Sequence, residues 1–121
     1  MALVLFFVPD PALGVREMVR VTKPGGSISA YVWDLLEGGL PVEAISAQLR
    51  QLDIPYPIAP SAEVSRISRL EETWIEAGLE SVETIQISVR RTFDNFQQFW
   101  DITTLSPSIG PIVKALSIIH I

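Results

Sequence analysis

The chain has 121 residues, of which 48% are apolar and 19% charged, enough for one globular core and too few charges for a disordered tail. Nine Lys and Arg against fourteen Asp and Glu give a net charge of −5, with the basic residues scattered, so nucleic acid is not expected as a ligand. No cysteine is present, which removes disulfides, thiolate metal sites and a thiol nucleophile together and fits a reducing interior.

The opening MALVLFFV lacks a basic leader region and is stopped by Pro9-Asp10-Pro11, so it does not read as a signal peptide. A membrane span needs about twenty apolar residues, and no such run exists. The expected location is the cytoplasm, with no membrane partner.

Asp10 followed by Pro11 starts a helix, because a carboxylate can cap free amides and proline has no N–H to leave unpaired in the first turn. Leu13, Met18 and Val21, with Val15 and Val19 beside them, form its apolar stripe. Pro24-Gly25-Gly26 then breaks the helix. From there Ile28, Ala30 and Val32 alternate with Ser27, Ser29, Tyr31 and Trp33, as in a strand covered on both faces. Helix, short turn and two-sided strand make the second half of a βαβ unit.

A helix is expected over 41–52 on the stripe Val42, Ile45 and Leu49, followed by an irregular connection with Pro55, Pro57 and Pro60. Ser68 and Glu71 match a capping box, with Leu70, Trp74 and Ala77 facing inward and Gly78-Leu79 closing the helix. Ile85, Ile87 and Val89 alternate with polar residues and mark a second strand over 82–91. Phe93-Asp94 supplies a staple and N-cap for a helix whose Phe96, Phe99, Trp100 and Thr103 share one face. The apolar tail 112–121 fits helix or strand, and the lone His120 near its end reads as incidental.

The stretch from Ala2 to Asp34 resembles the region after the fourth strand of class I S-adenosylmethionine-dependent methyltransferases, particularly the small-molecule group called type 11 or UbiE-like. The matching parts are the apolar Leu3 to Val8, Asp10-Pro11, Glu17, Arg20-Val21-Thr22-Lys23-Pro24-Gly25-Gly26, and the strand after it. Thr22 stands where the pattern R-V-L-K-P-G-G has Leu. LEETWIEAGLESVET is similar to the helix before that family's sixth strand, and FDNFQQFWDITTLSP to its variable substrate-covering insertion.

The resemblance implies an α/β chain: a partial, incomplete Rossmann-like sheet of the fifth and sixth strands with flanking helices, in one partial domain over 1–121. Residues 94–121 would be a helical substrate-covering insertion and tail. In the family the sheet order is 3-2-1-4-5-7-6, and the glycine-rich turn and acidic positions that hold the cofactor precede the matched region. The expectation is therefore a fragment lacking the N-terminal cofactor-binding half and inactive alone.

In an intact relative, S-adenosylmethionine would touch Ala2 and Leu3, a small-molecule acceptor would meet Phe6, Trp33, Asp34, Phe96 and Trp100, and no metal or catalytic side chain is implied. For this chain alone no cofactor is expected. A second reading is a non-catalytic interaction module that satisfies unpaired strand edges by forming a homodimer or by pairing with a separate N-terminal fragment. A third is a helical binder of hydrophobic ligands built on Phe96 to Trp100.

Overall fold

The computed structural model describes residues 1–119, and His120 lies outside them. Among the described residues there are five α-helices: α1 (Pro11–Val21), α2 (Glu43–Gln51), α3 (Ile67–Glu76), α4 (Phe96–Thr103) and α5 (Gly110–Ile119). Leu5–Phe7 and Ala62–Ser65 are short 3-10 helices. The chain divides into two units, 1–39 with 59–87 and 40–58 with 88–121.

The expected α/β sheet is not formed. Helix accounts for 45% and strand for 2%, and among the described residues the strand content is one parallel bridge between Ala2 and Tyr31. Alternating side chains favour an extended backbone, but a strand exists only when a neighbour takes its N–H and C=O groups. Segment 27–33 finds two residues of the N-terminus to bond: Leu3 N–H donates to the Tyr31 carbonyl (2.9 Å) and Tyr31 N–H to that of Met1 (3.1 Å). Segment 82–91 forms no bridge among the described residues.

The first unit is built around Leu5, Phe6, Val15, Val64 and Trp74. Asp10 caps α1 by accepting from Leu13 N–H at 2.9 Å, with Pro11 in the first turn. The buried face of α1 differs from the expected stripe. Of that stripe Val15 is fully buried and Met18 and Val19 are half-buried, whereas Leu13 and Val21 are exposed; Pro11, Ala12, Gly14 and Thr22 are half-buried as well. Thr22 ends the helix by returning its hydroxyl to the Met18 carbonyl (2.6 Å).

Helix α1 packs on α3. No side-chain cap opens α3: the N-cap is Arg66, so Ser68 falls inside the first turn and the expected capping box does not form. Its end follows the sequence. Gly78 takes φ +85°, its N–H donates to Ile75 O (2.9 Å), and Leu79 N–H reaches Trp74 O (3.3 Å). These are the paired bonds of a Schellman ending, and Leu79 packs on the same core as Trp74.

Ser61 fastens the N-terminal turn to the segment before α3. Its N–H donates to Phe6 O (3.0 Å) and its hydroxyl to Val8 O (2.6 Å).

The second unit gathers Ile45 and Leu49 of α2 with Ile109 and Val113, and Phe99 and Trp100 of α4 pack against them. Gly110 starts α5 where a Cβ would run into the Thr104 carbonyl. The tail is helical through Ile119, which decides between the two forms its apolar run allowed. Asn95, one residue beyond the expected Asp94, caps α4 by accepting from Gln98 N–H (2.9 Å).

Candidate functional site

The helix, turn and extended segment of 11–33 form as a connected piece. At the Lys23-Pro24-Gly25-Gly26 turn, Gly26 N–H donates to the Lys23 carbonyl (2.8 Å) and Gly25 takes φ +77°. A Cβ on Gly26 would press on Thr22 and Lys23, so both glycines are used by the turn itself. Beyond it, Ile28, Ala30, Val32 and Trp33 pack half-buried on the core, while Ser27, Ser29 and Tyr31 are exposed. The segment is therefore covered on one face, not two.

Ala2 and Leu3 lie beside this segment, with Leu3 at φ +52°. Their surroundings do not fit a cofactor cradle. The Leu3 amide is spent on Tyr31, and the terminal ammonium donates to Ser29 O (2.6 Å). Gly38-Gly39 is likewise occupied by a turn: Gly39 N–H donates to Asp34 O (2.8 Å), and a Cβ there would collide with Asp34. In each pair the second glycine's amide is bonded within its own turn.

Phe6 is 4% exposed, its ring enclosed by the core and tilted against Phe7 at 4.7 Å. Trp33 covers the same core from the end of the extended segment. Asp34 accepts from Glu37 N–H (3.0 Å), which organises the loop toward Gly39. Asp34 and Glu37 also border a shallow open depression of about 380 Å³, with Arg66, Ile67, Ser68 and Gln86. Arg66 is ion-paired across it to Glu37 and at 3.0 Å to Glu63. The hydrogen bond to Glu63 is the main cause holding the Arg66 guanidinium above its ordinary pKa, against a smaller opposing effect of burial. The depression is open to solvent and not enclosed.

Phe96 and Trp100 belong to the other unit. Their rings stack at 5.8 Å and 27°, and Phe93 meets Phe99 edge-on at 5.3 Å. Phe96 is 70% exposed, which departs from the inward position its spacing implied; Phe99 and Trp100 are half-buried and Thr103 is buried. In the same unit Arg50 is bound by Glu43 and by the Tyr56 hydroxyl (2.8 Å), which together raise its pKa above the ordinary range, Glu43 most.

Among the described residues no group of three or more His, Cys, Asp or Glu could hold a metal ion, and no helix is long and apolar enough to cross a membrane. Sequence reasoning named 82–91 as a strand but not as a surface. No signal in the sequence marked it, since the alternation of Ile85, Ile87 and Val89 with polar residues is the pattern of a half-buried strand. Comparison with protein-family models, with curated proteins and with solved structures gives no match for this chain.

Proposed function

We propose that the chain is the C-terminal part of a class I S-adenosylmethionine-dependent methyltransferase acting on a small molecule, cytoplasmic and without methyl transfer of its own. The observation that supports this reading is the path taken at Arg20-Val21-Thr22-Lys23-Pro24-Gly25-Gly26. A capped helix ends, the glycines turn the chain, and the following segment runs parallel to Ala2, where the resemblance expects the end of a preceding strand. The reading rests on that local path and on the sequence pattern, not on a sheet.

Calorimetric titration with S-adenosylmethionine tests it: no saturable heat is expected, and micromolar binding to the 121-residue chain would overturn the claim that it holds no cofactor site. Reading the coding frame ahead of Met1 tests the other half. An in-frame strand followed by G-x-G-x-G is expected, and a frame without it removes the enzyme reading.

A second reading, the association module, is favoured by one specific observation. Ile85, Ile87 and Val89 are 82%, 73% and 69% exposed on a stretch of backbone with no bridge. A soluble domain that shows β-branched residues on an unpaired extended segment has a ready surface for strand addition. Sedimentation distinguishes the two: a folded monomer at all concentrations argues against the module.

A further inference from the structure

Residues 82–93 contain no helix, turn, bend or bridge, and no backbone hydrogen bond among the described residues begins or ends within them. The stretch holds neither proline nor glycine, so every residue can donate to and accept from a neighbouring strand. Odd-numbered positions place Glu83, Ile85, Ile87, Val89 and Arg91 on one side of an extended chain. All five are exposed.

The charges at the two ends lack ionic partners. The ion pairs of the structure use Arg20, Arg50, Arg66 and Arg69, and neither Glu83 nor Arg91 belongs to one among the described residues. Arg91 instead lies over the Phe93 ring, 5.1 Å from its centre. One side of the stretch thus reads acidic, three apolar, basic. Such an order is complementary to itself when reversed.

We propose that 83–91 pairs antiparallel with the same stretch of a second copy, on a two-fold axis through Ile87. This rests on the association-module reading and names its partner and register. In that register Ile87 faces the partner's Ile87, Ile85 faces the partner's Val89, and Glu83 faces the partner's Arg91; symmetry repeats the last two. Three apolar cross-strand pairs are closed at each end by opposite charges, the arrangement that stabilises a sheet most directly.

Other registers are poorer. Sliding by one residue sets Ile85 against Ser88 and carries apolar side chains to opposite faces. Sliding by two leaves Glu83 against an apolar residue. Parallel pairing in register sets Glu83 against Glu83 and Arg91 against Arg91, which repels at both ends. Charge complementarity selects one orientation and one register.

The test uses the absence of cysteine from the chain. Residues directly opposed in an antiparallel pair have Cα atoms about 4.5–5.5 Å apart, within reach of a disulfide. Ile87→Cys should therefore form a covalent dimer under mild oxidation. Thr84→Cys should not, because its two copies would stand about 20 Å apart.

Sedimentation velocity supplies a second arm. Arg91→Glu turns two attractive pairs repulsive and should weaken the dimer about tenfold, and adding Glu83→Arg should restore most of the loss. These side chains are exposed, so far-UV circular dichroism should be unchanged in every variant.

A chain that stays monomeric at all concentrations overturns both this proposal and the homodimer form of the module reading. A dimer in which the two cysteine variants link equally, or in which the charge swap restores nothing, overturns only the register and the surface named here.

Discussion

Two segments of this chain carry the same pattern and meet different fates. Over 27–33 the apolar positions Ile28, Ala30 and Val32 pack half-buried on the core of the first unit, and the backbone bonds to Met1 and Leu3. Over 82–91 the equivalent positions Ile85, Ile87 and Val89 are exposed and the backbone has no bond to another backbone group among the described residues. Intrinsic preference does not separate them, since the exposed segment holds more β-branched residues than the packed one. The difference lies in what the chain delivers next to each. A turn of four residues returns 27–33 against α1, whereas 82–91 follows the close of α3 and meets only Val82's foothold on the core.

The comparison can be broken most forcefully at the core that the packed segment uses. Trp74 is 8% exposed and contacts the cluster on which Val32 and Trp33 rest. Trp74→Ala should cost about 3–5 kcal/mol by the usual measure for a deleted core aromatic, read as a lower urea midpoint. An effect under about 1 kcal/mol would mean that this core does not hold the first unit together.

Next in size is the turn that launches the exposed segment. Gly78 sits at φ +85° with open space where a Cβ would go, so Gly78→Ala is opposed by backbone strain and not by collision. The expected loss is about 1–2 kcal/mol in urea denaturation, with no change at neighbouring packing. Asp10→Ala removes the cap of α1 and should cost about 1 kcal/mol, while Asp10→Asn, which keeps the acceptor oxygen, should cost much less.

What the sequence disclosed, and what it did not, follows one physical line. Signals that act within a few residues were legible: Asp10-Pro11 opening α1, Gly78-Leu79 closing α3, and the turn at Gly25-Gly26. Signals needing a partner were not. Within the one apolar stripe of α1, Leu13 and Val21 are as apolar as Val15 and Met18, and the packing of α1 on α3 decides which of them are covered. Ser68 has the spacing of a capping box, but α3 begins at Ile67 and bypasses it.

The same limit governed the candidate residues. Phe6, Trp33 and Asp34 were named for their place in a family pattern. In the structure Phe6 fills a core, Trp33 covers it and Asp34 holds a loop. Phe96 was placed inward by its spacing from Phe99 and Trp100, yet it is 70% exposed and lies outside the cluster that those two join.

The smallest expected effect is the most informative about the two segments. Ile87→Ala removes a large apolar side chain, and in a buried strand such a change costs about 2–5 kcal/mol. Here the side chain is 73% exposed, so the folded monomer loses little contact, and the change in its stability should fall within about 0.5 kcal/mol. The measurement has to be made at a protein concentration low enough to keep the chain monomeric, because any partner that binds the folded state adds to the apparent stability.

Repeating the denaturation at high concentration then separates two meanings of exposure. If Ile87 is simply a surface residue, the difference between wild type and Ile87→Ala stays near zero at every concentration. If it is the centre of a strand pair, the wild type gains stability as concentration rises and the variant gains less, so the gap widens with protein concentration alone. A large loss in the dilute monomer would contradict the geometry of both cases, since it would require Ile87 to be packed where the structure leaves it open.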